Sequence, residues 1–379
     1  MRHRILILVA TVGLLVGACG GTGTGSVPPA SAPASGAPSD WQAGGGEAWE
    51  TVLAAAREEG SVAIGGPAFL AEAMAAAFQR DTGITLEWIG ASGSELSARM
   101  QQEVAAGNVT MDGKLGGAQE LFVDWKAILE PIAPKLILPA VTDGAQWRNG
   151  SINWYDPDKQ YMFMGSQYVF GWIQVNADEV DPTSIRTWDD LLKPEFKGKI
   201  ASADITAPSP GQGAAHGIFN YKGMDFVEDL YVGQDVTFTA DNAQLVEWAA
   251  RGDYPIILGS IQSQVERFKA EGFNLVAVLP EDGPGYLTSG FSVLMSPKGA
   301  PHPNAAQVFM NWYASQPGAT TYETVMLETS ARNDVDTEGL PDYVEPVDGV
   351  DYWVDSDLEW FLNQRGDVSE QFVEMVGGR

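Results

Sequence analysis

The sequence predicts an α/β protein built from mostly parallel sheets flanked by helices. Three observations carry this. From Glu47 to about Ser315, stretches with apolar residues at helical spacing alternate with short apolar or β-branched runs. Most of those runs end in a Gly, Ser or Pro turn that opens the next helical stretch. Of the 379 residues, 45% are hydrophobic and 19% charged, which suits a globular chain able to bury a large core.

Met1 to Ala18 reads as a secretory leader, with Arg2 and Arg4 as its positive start. The apolar run Ile5 to Ala18 is too short to span a bilayer comfortably. It ends in Leu15-Val16-Gly17-Ala18-Cys19, small residues before the only cysteine of the chain. Residues 20–46 are rich in Gly, Ser, Pro, Ala and Thr and read as a flexible tether, with Trp41 unexplained in it.

EAWETVLAAAREEG places Trp49, Val52, Leu53 and Ala56 on one helical face and stops at Gly60. SVAIGG is a strand, Phe69 to Arg80 a helix, ITLEWIG a strand and Ser94 to Ala106 a helix. In MDGKLGGA, Gly113 and Lys114 interrupt an apolar run, so a short or edge strand is expected. Gln119 to Leu129 reads as a helix with Trp125 on its apolar side. Strands are expected at Tyr161 to Met164 and Gln167 to Asn176. Thr187 caps a helical start, WDDLL, that stops at Pro194, and the strand KGKIASAD follows. A Pro/Ser/Gly loop, Ala207 to Gly213, opens the next helix. Helices at Met224 to Val232, Asn242 to Arg251 and Gln264 to Glu271 then bracket the strand YPIILGS, and NLVAVLP is another strand. Tyr286 to Met295 is extended. Asn304 caps a helix reaching Ser315, and the acidic, aromatic-rich tail from Asp334 is expected to pack on the first half of the molecule.

The formal net charge of −28 argues against nucleic acid or an anionic membrane surface as partner. One Cys excludes a disulfide framework, and three His, one of them in the leader, leave too few for a His-rich metal site. No G-x-S-x-G, H-E-x-x-H or P-loop motif is present and His216 has no evident partner, so no enzyme chemistry and no cofactor are expected. His302 reads as structural.

The wording of two stretches is informative. W-D-D-L-x-x-P-x-x-K-G-K-I, with Trp188, Asp189, Leu191, Pro194, Lys197, Gly198, Lys199 and then Asp204, and KGAPHPNAA further on, resemble the extracellular solute-binding proteins of ABC transporters. The branch is the one that includes ferric-iron, thiamine, polyamine and aminoalkylphosphonate binders. The resemblance runs from about Gly60 to Val335. It implies a two-lobed, type 2 periplasmic-binding-protein-like fold with two crossover strands as hinge. Residues 47–170 plus 290–379 would form lobe one and 171–289 lobe two, after a leader of 1–18 and a tether of 19–46. It implies a lipoprotein acylated on Cys19, held at the cell membrane by lipid alone and facing the periplasm or cell exterior. The partners would be a small polar solute, anionic or zwitterionic, and the permease subunits. Capture of ferric iron or another metal complex, and solute sensing without transport, are the alternatives.

Four loops follow strands and precede helices, where open α/β sheets bind ligands. They carry Gly66 and Pro67; Ser92, Gly93 and Ser94; Gly117; and Ser209, Gly211 and Gln212. Either these small residues admit a ligand to the backbone and the helix N-termini, or they only close tight turns. Tyr286 either stacks on a ligand or fills the hinge. The resemblance places Arg332 near the cleft, as a guanidinium that would pair with an anion. Ferric binders of this branch carry adjacent tyrosines after the strand matching YPIILGS. Here Ser260, Gln262 and Ser263 stand instead, which suits hydrogen bonding to an organic solute.

Overall fold

The computed structural model describes residues 40–118, 125–347 and 349–377, so the leader, Cys19, most of the tether and the start of the expected 119–129 helix lie outside the described residues. The chain begins with α1 (Gly46–Glu59), β1 (Ser61–Gly66), α2 (Ala71–Thr82), β2 (Thr85–Gly90), α3 (Gly93–Ala106) and β3 (Gly113–Leu115). Short helices α4 (Trp125–Ile128) and α5 (Pro139–Thr142) lead to β4 (Phe163–Met164), β5 (Tyr168–Phe170) and β6 (Ile173–Asn176). Next come β7 (Ile200–Ala203), α6 (Pro210–Lys222), α7 (Met224–Glu228), β8 (Thr237–Thr239), α8 (Asn242–Arg251), β9 (Ile256–Leu258), α9 (Gln262–Ala270) and β10 (Leu275–Val278). The chain finishes with β11 (Tyr286–Thr288), β12 (Val293–Met295), α10 (Pro303–Tyr313), α11 (Gln316–Met326), β13 (Trp353–Val354), α12 (Leu358–Asn363) and α13 (Arg365–Gly377).

These strands form two five-stranded sheets, ordered β2-β1-β3-β12-β4 and β10-β6-β9-β7-β8. The βα units supply parallel pairs, such as Val62 opposite Leu86 in one sheet and Ala201 opposite Ile257 in the other. Strands next to the crossovers run against them, as in Leu294 opposite Leu115 and Val175 opposite Ile256, so both sheets are mixed. The crossovers are β5 and β11, which pair antiparallel with Tyr286 opposite Phe170 and Thr288 opposite Tyr168. Gly171 (φ 90°) breaks the expected 167–176 strand into β5 and β6, letting the chain turn from one sheet to the other.

Each sheet has its own apolar core. In the first, Phe78 sits edge-on between Phe309 and Trp312, with ring centroids 5.5 and 5.3 Å away. In the second, Trp188, Ile200, Ile218 and Tyr231 are buried together. Trp41 is not part of a free tether: it packs edge-on against Trp49 at 5.7 Å, and Gln42 accepts the Trp49 indole N–H.

One expectation is refined and one is corrected. First, of the two alternatives for the 113–115 region the strand is the short one: β3 has three residues and lies centrally, between β1 and β12. Gly113 is required there because a Cβ would lie 2.9 Å from Ile64 Cδ1 and 3.2 Å from the Met295 carbonyl. Lys114 is buried beside it, donating to the Gly117 carbonyl at 2.7 Å and to Ser97 Oγ. Both residues look like strand breakers in the sequence, yet close packing explains each. Second, the tail does not lie on lobe one alone. Trp360, Val368 and Phe372 join the core of the second sheet, while Phe361 meets Tyr155 of the first at 6.4 Å. Val368 and Phe372 are four apart, so one face of α13 carries both into the same core. Phe372→Ala is therefore expected to cost about 3–5 kcal/mol, read as a drop in the urea midpoint. An unchanged midpoint would show that the tail is dispensable to the second lobe.

The helix expected from Asn304 has its amide groups satisfied from elsewhere. Glu59 at the end of α1 accepts from Ala305 N–H at 2.7 Å and from the Asn304 side chain at 2.7 Å. His302 is structural, its ring Nδ1 2.9 Å from Asp112 Oδ2.

Candidate functional site

A cavity of about 460 Å³ lies between the two sheets, in front of the crossover strands. That size is within the range of small-molecule sites. All four loops singled out in the sequence reach it, through Pro67, then Ser92, Gly93 and Ser94, then Gly117, and from the other lobe Ser209. Ile261 and Gln262 at the start of α9 complete the second-lobe side.

Two of the helix starts facing the cavity, α3 and α6, are capped by their own side chains, whereas α9 has no side-chain cap. Ser92 caps α3: its Oγ accepts from Glu95 N–H, and the Glu95 carboxylate accepts the Ser92 N–H at 3.0 Å, a capping box. The Ser92 hydroxyl also donates to that carboxylate at 2.8 Å, and this bond, with the one from the Ser92 N–H, holds the Glu95 carboxyl below its usual range. Ser209 caps α6 by accepting the Gln212 N–H at 3.0 Å, and its hydroxyl donates to the Asp204 carbonyl. Pro210 has no N–H to offer.

Five expected site residues line other parts of the molecule. A Cβ on Gly66 would lie 2.4 Å from the Trp88 ring, and one on Gly211 only 2.1 Å from the Ala203 carbonyl. Both glycines serve close backbone packing at the ends of β1 and β7. Gln212 is buried behind the wall, its amide donating to Ile205 O and accepting from Arg365. Ser260 is 1% exposed and outside the lining. Arg332 is the clearest correction. It is buried in lobe one, paired bidentately with Asp334 at 2.7 and 2.8 Å. A second guanidinium nitrogen donates to the carbonyls of Ala140 and Ala314, and the plane lies over Trp147. Its donors are spent on ending helices, so it holds the lobe together rather than a solute.

Tyr286 fills the hinge and also lines the cavity. Its ring lies in a groove on α6 made by Gly213 and Gly217, where Cβ atoms would come within 2.4 and 2.7 Å of it, and it also faces the cavity. Gln262 bridges the lobes, donating to the Met326 carbonyl at 2.8 Å and to Glu328 at 3.2 Å.

Sequence reasoning missed the wall formed by the tail: Trp353, Asp355, Trp360 and Arg365. The tail adds a third strand to the hinge pair, with Trp353 beside Tyr286 and Val354 beside Leu287. Its only signal in the sequence is the density of aromatics after Asp334, which has no clear period. His216 also lines the cavity, with Ser369 Oγ at 3.1 Å and the rings of Trp360 and Phe372 at 5.3 and 5.2 Å. Burial pushes its imidazole down to about 3, with the Arg365 charge adding to the shift, so it is neutral. Burial raises the Asp355 carboxyl to about 6, against a hydrogen bond from Thr288 and the Arg365 charge that pull it down. Among the described residues no group of three His, Cys, Asp or Glu side chains is placed to hold a metal ion.

The sequence profile described as bacterial extracellular solute-binding protein matches residues 73–345. A 52-residue stretch is 42% identical to the spermidine/putrescine-binding periplasmic protein of Escherichia coli (strain K12), covering 13% of this chain and 14% of that relative's length. The fold is similar to that of the binding protein AfuA from Actinobacillus pleuropneumoniae with fructose-6-phosphate bound, at TM-score 0.64 and 18% identity over 84% of this chain and 98% of that one. It is likewise similar to iron-bound HitA from Pseudomonas aeruginosa, at TM-score 0.62 and 15% identity over 84% and 98%. At those identities the likeness shows a two-lobed fold and leaves the ligand open.

Proposed function

The chain belongs to the bacterial extracellular solute-binding proteins, and on that premise we propose that it is the lipid-anchored receptor of an ABC importer. It captures a small polar solute, anionic or zwitterionic, between its lobes and delivers it to the permease. The supporting observation is the cavity bounded by Ser92 to Ser94 from one lobe and Ser209 and Gln262 from the other, with the crossover pair β5 and β11 behind it. A solute touching both sides stabilises the closed arrangement by hinge motion at β5 and β11. The contacts that fix it come from Pro67, Ser92, Gly93, Ser94, Gly117, Ser209, Gln262 and Tyr286. The chain performs no catalysis on the solute.

Mass spectrometry of the protein purified without denaturation tests this. A stoichiometric small molecule, released on unfolding and unchanged by incubation, is expected. Chemical turnover of that molecule would replace the receptor with an enzyme. The anchor is a separate matter. Diacylglyceryl Cys19 would attach the chain to the membrane with more than one acyl chain, which is enough for stable anchoring. Cys19→Ser is expected to move the protein from the membrane fraction to the soluble fraction, and continued membrane association would contradict the lipid.

A further inference from the structure

We infer that the tail segment Trp353 to Arg365, beyond the span matched by the family, is a specificity element whose Asp355 holds an ammonium group of the solute against an aromatic wall. This deepens the receptor reading and rests on it.

The lining chemistry leads there. Tyr286, Trp353 and Trp360 form a continuous surface, with ring centroids 5.2 Å apart from Tyr286 to Trp353 and 5.3 Å from Trp353 to Trp360. Phe170 extends it, 5.9 Å from Tyr286. All four line the cavity. Aromatic faces carry negative charge density and attract ammonium groups, most strongly where water is excluded.

Asp355 stands at the edge of that surface. Its Oδ2 accepts from Thr288 Oγ1 at 2.6 Å, and its backbone N–H donates to Leu287 O. Oδ1 is out of solvent and has no hydrogen-bond partner among the described residues. A buried carboxylate oxygen without a donor is costly, and an ammonium N–H supplies one. At the starts of α3 and α6 an anionic solute has less to gain. The caps of α3 and α6 already use Ser92 and Ser209, and Glu95 places a negative charge in the first turn of α3. Arg365, half-buried in the same wall, accommodates a second, negative group, so a zwitterion fits as well as a diamine.

The groups facing Asp355 leave it as the titrating one. Thr288 does not ionise. Tyr286 and Tyr168 are raised well above their usual range by burial, and His216 is neutral throughout. Ammonium binding requires ionised Asp355, so affinity falls about tenfold per pH unit below its value near 6.

The test uses three five-carbon probes that differ only in terminal charge: 1,5-diaminopentane, 5-aminopentanoate and glutarate. Calorimetry is run on the unfolded and refolded, solute-free protein. At least one amine is expected to bind, with glutarate at least about tenfold weaker. Asp355→Asn is expected to weaken the amine at least about tenfold, and lowering the pH from 7 to 5 on the wild type is expected to weaken it about tenfold, a reading that does not depend on the variant folding. Glutarate binding as tightly as both amines, amine affinity indifferent to both changes, or no amine binding at all would each overturn the inference. The receptor reading then stands or falls separately on the co-purified molecule: a solute with no ammonium group keeps the receptor and removes this role for Asp355.

Discussion

Gly93→Trp is expected to lower affinity for the co-purified solute by at least about a hundredfold while leaving the melting temperature unchanged. Gly93 is the first residue of α3 and lines the cavity. A Cβ added there meets no atom within 4 Å, and the residue is not among those with positive φ, so a side chain costs nothing in backbone strain. The indole adds bulk at the lining of a space of about 460 Å³ that the solute needs. Replacing glycine in a helical turn also removes freedom from the unfolded chain, which favours the fold slightly. Ser209→Trp, on the opposite lip, mixes two effects. It blocks the cavity but removes the side chain that caps α6, at a cost of about 1 kcal/mol. Undiminished affinity of the Gly93 variant, measured by calorimetry, would place the solute somewhere other than between the lobes.

What the sequence disclosed about this site follows from how its parts are encoded. The loops at the carboxyl ends of β1, β2 and β7 were legible because each needs small residues at fixed places. Gly66 against Trp88 and Gly211 against the Ala203 carbonyl show why, although the same packing keeps those two glycines from the solute. Local rules mark where a loop is, and they do not tell a glycine that admits a ligand from one that admits a neighbouring strand. Arg332 illustrates the converse. A guanidinium near a cleft reads as an anion site until its bonds are seen, and here Asp334 and two helix-ending carbonyls absorb it.

The tail was illegible for another reason. Trp353 is placed by strand pairing with Tyr286, 67 residues earlier, and Trp360 and Phe372 by a core that 171–289 builds. None of those partners is local, so no window of the tail carries the pattern. The family match ends at residue 345, and the cavity wall continues beyond it with Trp353, Asp355, Trp360 and Arg365.

Glu328→Gln is expected to reduce a pH-dependent loss of stability. Glu328 is fully buried in lobe one, with the hydroxyls of Tyr168, Tyr322 and Ser166 around it and the Gln262 amide donating from lobe two. Burial raises its carboxyl to about 8, and its buried neighbour Glu323 is raised well above the usual range by burial and by Glu328. The folded protein therefore holds a proton that the unfolded chain releases near 4.5. Stability from this site is fully present below about pH 4.5 and is lost progressively as pH rises to about 8, by roughly 5 kcal/mol at most. A glutamine keeps an acceptor for Gln262 and cannot ionise. Urea midpoints at pH 5, 6.5 and 8 are thus expected to fall more steeply in the wild type than in the variant, and adding Glu323→Gln is expected to flatten the slope further, since the two carboxyls titrate as a pair; Asp355 and His216 titrate on unfolding in all three proteins. An equal slope in wild type and double variant would mean that both carboxylates are ionised in the fold.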